Sequence, residues 1–249
     1  MLKKISNISR TLIINTFEGF YYNEKTEINN ILKHIFKIYD VNKLLKMATL
    51  SADVVNTEII NKSISNFEPF GDSASMLIKA NLKNCNSAVL HLKESHITFH
   101  TYIEDGLENF LIVRFEIHIS SCTDENIFLT IPMIINQNNN QHRDKLNPHM
   151  INIDYLERGI PLSDIKKIDV MFADNFINNN FKRYNCISHI ISSNTQYYSL
   201  MMNEPAMHNT FDKMNIPKLK SKLSSFIKNL SNIHSSKCYS AIDRKISEK

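Results

Sequence analysis

Glycine is scarce in this chain. Four in 249 residues leave no glycine-rich loop to cradle a phosphate, so neither the P-loop nor the dinucleotide fingerprint occurs and a nucleotide-hydrolysing enzyme is excluded. Tryptophan is absent, and the four cysteines, Cys85, Cys122, Cys186 and Cys238, are scattered with no C-x-x-C pair. That spacing suggests neither a zinc site nor a disulfide framework. No apolar run reaches transmembrane length, and the polar start from Met1 to Arg10 lacks the core of a signal peptide. A reducing cytoplasm is the expected compartment.

The net charge of +4 is uneven: residues 213–249 hold nine Lys/Arg against two acids, leaving the rest net negative. After Pro217, however, Leu219, Leu223, Phe226, Ile227, Leu230 and Ile233 recur at helical spacing. The basic stretch therefore reads as a docked amphipathic helix, with no nucleic-acid or membrane partner. Heavy use of Asn, Ile and Lys marks compositional drift, and the Asn runs at 138–140 and 178–180 read as loops or frayed helix ends.

Periodicity predicts one helix over residues 25–47, with Ile28, Ile31, Leu32, Ile35, Phe36 and Leu44 on one side. Strand-like runs follow at 53–60, 73–80, 88–92 and 96–102. The tightest alternation covers Leu111–Ile119, a strand with one wet face. A short helix with Pro132 near its start is expected in 127–136, a loop over 137–148, a strand at 150–156, and a helix at 163–181 capped by Ser163. Consecutive strands with short links favour an α+β fold, antiparallel sheet packed with helices, in one domain spanning 1–249.

The chemistry concentrates in Glu94-Ser95-His96-Ile97-Thr98-Phe99-His100-Thr101-Tyr102. Period two sends Ile97, Phe99 and Thr101 one way and His96, Thr98, His100 and Tyr102 the other. His91, His96, His100 and His118 invite a metal reading, but i and i+4 on a strand lie about 13 Å apart, and no Asp or Cys completes a set. No metal site is expected. A hydrolase triad on Ser95 lacks the G-x-S-x-G elbow. A serine hydroxyl can instead attack the carbonyl before it, converting amide to ester. Elimination and loss of ammonia then leave a pyruvoyl group, given a strained X–Ser bond and a nearby imidazole base.

The stretch 94–102, with Glu104 two residues on, resembles the self-processing site of S-adenosylmethionine decarboxylase proenzymes of the longer bacterial type. Phe67-Glu68-Pro69-Phe70-Gly71-Asp72-Ser73 is similar to the segment before that site, and Glu116–Cys122 to the strand ending in the family's catalytic cysteine. Ile153-Asp154-Tyr155 with Arg158-Gly159, and the helix containing Ile38-Tyr39-Asp40, are further landmarks. The likeness spans roughly residues 20–180.

That resemblance implies an αββα-type sandwich and cleavage between Glu94 and Ser95 into a β chain, 1–94, and an α chain, 95–249. Ser95 would become the pyruvoyl cofactor, which takes the substrate amine as a Schiff base. His100 would be the processing base, Ser73 would assist through a hydrogen bond to the intermediate, and Cys122 would be the proton donor, while Glu104 would bind ribose and Phe67 would stack on adenine. The substrate would be S-adenosylmethionine, decarboxylated for spermidine synthesis by an oligomer of αβ units, with magnesium or a diamine open as activator. Taken singly, Cys122 is a buried thiol, Phe67 core, Glu104 a loop acid and Ser73 a turn residue; their shared order gives them meaning. Ile103 stands where the family has proline, and Thr123 where it has glycine, which predicts a reshaped loop at Cys122. Those departures keep open an arginine or ornithine decarboxylase, and an inactive regulatory paralogue is the remaining alternative. Residues 185–249 match nothing.

Overall fold

The computed structural model describes residues 8–66, 72–80, 94–105, 109–123, 125–136, 145–159, 170–192 and 194–203, with positions 225 and 229. Its organising element is the first strand, β1, Ser9–Tyr21, which pairs with two strands contributed from far along the chain. A 3-10 turn at Lys25–Glu27 leads into α1, Ile28–Ile38, and α2, Val41–Val54. Then come β2 (Thr57–Asn66), β3 (Asp72–Ala80), β4 (Glu94–Asp105) and β5 (Phe110–Ser121). A 3-10 turn at Ile127–Thr130 runs into α3, Ile131–Ile134, followed by β6 (Met150–Arg158), α4 (Val170–Asn180), β7 (Tyr184–Ser192) and β8 (Thr195–Met202).

Among the described residues the strands form one eight-stranded sheet in the order β2-β3-β4-β5-β1-β6-β8-β7, antiparallel at every pairing. The fold is α+β, as its composition of elements implied. The described residues supply one β layer, so an αββα sandwich would need a second sheet against its other face.

Alternation on the strands decides which face meets the helices. Leu12, Ile14 and Phe20 of β1, Phe115 and Ile117 of β5, and Ile153 and Tyr155 of β6 join Ile31, Ile35, Leu44 and Ala48 of α1 and α2 in the main core. Each large apolar side chain buried there contributes about 1.5–3 kcal/mol. The opposite face is divided. Near the C-terminal end of β1, Phe17, Phe110, Ile112 and Met150 form a second small buried cluster. Beyond it, the half-buried His100, Tyr102, Arg114, Glu116 and His118 make that face polar.

Several local expectations are corrected. The helix read as 25–47 is two: Tyr39 closes α1, and the Asp40 side chain accepts hydrogen bonds from Asn42 N (3.0 Å) and Lys43 N (3.1 Å) to cap α2. Helix α2 then runs to Val54, so the strand read at 53–60 begins only at Thr57, after Asn56 turns the chain with φ 53°, a conformation asparagine tolerates. Pro132 sits at the start of α3, as its missing N–H requires. The helix read at 163–181 is described as α4 from Val170, and the strand at 88–92 and the helix around 219–233 lie outside the described residues, apart from positions 225 and 229.

Candidate active site

Strand register lines up the chemistry-bearing residues in rows across the polar face. One row runs Ser73, His100, Glu116, Asn15, Asn152, Ser199. The next runs Thr98, His118, Ile13, Asp154, Tyr197. At the far end His96 pairs with Ser120, and Cys122 is the first residue beyond β5, half-buried. Strand β4 begins at Glu94, so the Glu94–Ser95 bond lies inside a paired strand, Glu94 opposite Lys79 and Ser95 opposite Ile78.

The expected site residues therefore fall into two groups. Ser95 and Cys122 lie at the same end of β4 and β5, and Ser73 and His100 are register partners further along. Five residues of extended strand separate Ser95 from His100, about 16 Å between Cα atoms. A single chain does not bring that imidazole to that serine. Phe67 lies outside the described residues.

A buried anchor fixes the Cys122 turn. Arg10, on the helix side of β1, donates from Nε to Glu157 Oε2 (3.2 Å) and from Nη1 to the Thr123 carbonyl (2.8 Å), while Tyr155 OH donates to the same Glu157 oxygen (3.0 Å). Thr123 is buried, and its hydroxyl lies 2.9 Å from that of Ser121. Its φ is not positive; among the described residues only Asn56, Asn109 and Gly159 have that geometry. The turn is thus built around threonine and does not need the freedom of glycine.

Sequence assigns Arg114 on this face no role, and gives Glu116, His118 and Asp154 none in the chemistry. His118 Nε2 lies 2.6 Å from Glu116 Oε1. Burial raises the Asp154 carboxyl above its ordinary range, with His118 pulling it back. Burial also lowers His96, helped by the neighbouring His118. Arg114 stacks 4.2 Å from the centre of the Tyr102 ring, which itself stacks on His100 at 6.1 Å. Glu104, the expected ribose ligand, lies 3.7 Å from that guanidinium. The alternation of β5 was the available signal, since it puts Arg114, Glu116 and His118 on its wet face together.

No family model matches the chain. Individual proteins do. It is 22% identical to an S-adenosylmethionine decarboxylase proenzyme of Clostridium botulinum (strain Alaska E43 / Type E3), over 87% of this chain and 86% of that protein. A proenzyme of the same name from Pseudomonas paraeruginosa (strain DSM 24068 / PA7) is 24% identical over 64% of this chain and 62% of its own length. The crystal structure of the adenosylmethionine decarboxylase from Aquifex aeolicus VF5 is 15% identical, covering 66% of this chain and all of that one. Its TM-score of 0.34 is too low to bear on the site. Over most of its length, the sequence of this chain is similar, at 22–23% identity, to S-adenosylmethionine decarboxylase proenzymes.

Proposed function

We propose that this chain is a self-processing, pyruvoyl-dependent decarboxylase of S-adenosylmethionine that supplies aminopropyl groups for spermidine synthesis. The observation carrying this is the meeting of the Ser95 end of β4 with the Cys122 end of β5, with Ser73 paired to His100 on the same sheet.

In processing, Ser95 Oγ attacks the Glu94 carbonyl carbon, and the acyl group passes from nitrogen to oxygen. A base then removes the Ser95 α-proton, the Cβ–O bond breaks, and Glu94 leaves as a C-terminal carboxylate. Tautomerisation and hydrolysis release ammonia and leave a ketone at the new N-terminus. His100 is the base and Ser73 its partner. Because about 16 Å of strand separates His100 from its own Ser95, the pair acts on the Ser95 of a second copy, which makes the working unit an oligomer of αβ units.

The residues at the β4–β5 end suit such a group: a serine to form it and, next to it, a half-buried thiol to serve it. A pyruvoyl group supplies the electron sink for loss of carbon dioxide from an α-amino acid. Cys122 returns the proton to the α-carbon, and the Arg10 anchor through Thr123 keeps its turn in place. Glu104 and Phe67 hold the nucleoside. Intact-mass analysis of the purified chain tests the reading. Two fragments, 1–94 and 95–249, are expected, the second lighter by one ammonia than a chain starting with serine. A single uncleaved chain with unmodified Ser95 would overturn it.

A further inference from the structure

Arg114 has no task in that chemistry, yet it occupies the nucleoside end of the site. It stands opposite Tyr102 on β4 and Phe17 on β1. Its guanidinium lies over Tyr102, the central carbon 4.2 Å from the ring centre. One terminal nitrogen is 3.7 Å from Glu104 Oε1 and the other 3.9 Å from Glu116 Oε2, while Nε is buried and makes no hydrogen bond. An aromatic face and two carboxylates thus enclose a planar cation supplied by the chain itself.

The hold is loose. Both ion pairs are longer than a hydrogen bond, and the arginine and Glu104 side chains are 33% and 53% exposed. Such pairs are screened by water and cede readily to a competitor, and a half-exposed cation–π contact adds little more. A ligand cation seated between the Tyr102 ring and the two carboxylates must nevertheless displace the guanidinium, whereas a neutral ligand at the exposed side of Glu104 need not.

We propose that Arg114 is a specificity-determining residue: its guanidinium occupies the Tyr102–Glu104 seat of the empty site and competes there with the positive charge of a cationic nucleoside, while a neutral nucleoside does not contest the seat. The inference rests on the reading of Glu104 as a nucleoside contact. It makes the chain's own arginine a competitor of the substrate and not one of its ligands.

Two nucleosides that lack the α-amine and carboxyl of an amino acid test it, because neither can react: 5′-deoxy-5′-dimethylsulfonioadenosine, which is cationic, and 5′-deoxy-5′-methylthioadenosine, its neutral thioether. Binding of both to the purified wild-type and R114Q proteins is measured by calorimetry. R114Q is expected to bind the cationic nucleoside about three- to tenfold more tightly, the range a weak ion pair and cation–π contact allow. The neutral one should gain less than about twofold by the same accounting. R114K, which keeps the charge, should behave like wild type, and R114M replaces R114Q if the latter does not fold. Weaker binding of both nucleosides would make Arg114 a direct contact and overturn the proposal. Equal or absent changes would overturn it too, as would failure of every protein to bind. Fragment masses of the same wild-type sample read the self-processing proposal separately.

Discussion

At the scale of single residues, His96 shows how the polar face responds to pH. Burial, and then the proximity of His118, lowers its pKa from the ordinary 6.5. The unfolded chain therefore takes up a proton before the folded one as pH falls below that value, and stability drops until the folded imidazole also titrates. Above it, His96 contributes nothing to the pH dependence. Urea midpoints at pH 7.5 and 5.5 should fall further in wild type than in H96Q; equal falls would place the protonation elsewhere. His96 was legible in sequence because alternation alone puts it on the same face as His100. Arg114 was not. Its partners Tyr102 and Glu104 lie on another strand, and only the β4–β5 register, Tyr102 opposite Arg114, brings them together.

At the scale of elements, caps and alternation explain both what could be read and what could not. The α1–α2 break was there to be read in Asp40, whose carboxylate takes two N–H groups of the first turn of α2. Replacing it in D40A should cost about 1 kcal/mol of stability, measured by urea denaturation, with D40N recovering most of it. An unchanged midpoint would mean that packing alone sets the boundary. Strand β5 was evident because its odd residues are apolar and its even ones mostly polar. Strand β1 was invisible for the opposite reason. Ile13 and Phe17 on one face match Leu12 and Ile14 on the other, so no alternation shows, and Glu18, a charged residue on the same face as Leu12 and Ile14, is fully buried and accepts a 2.6 Å hydrogen bond from Tyr39 OH. A strand central to a sheet, with apolar clusters on both sides, loses the signature of a half-wet one. The β7–β8 hairpin escaped because the exposed Ile187, Ile190 and Ile191 defeat any pattern of apolar-in and polar-out.

At the scale of the molecule, sheet order decides what cleavage would do. Residues 1–94 contribute β1, β2 and β3, and β1 lies between β5 and β6 of the remainder. Cutting after Glu94 leaves β1 hydrogen-bonded along both edges, in registers of twelve and nine residue pairs. The two fragments should therefore elute together from size exclusion in native buffer and separate only in denaturant; separation without denaturant would contradict the sheet order. The same placement bears on synthesis. Strand β1 leaves the ribosome first, yet its second neighbour, β6, is made more than a hundred residues later. At about 5–20 residues per second, β1, largely buried in the finished sheet, waits several seconds or longer with an edge unmet. For that interval the nascent chain carries an exposed, aggregation-prone segment, so its yield in a cell should depend on a holding chaperone more than its finished stability would suggest.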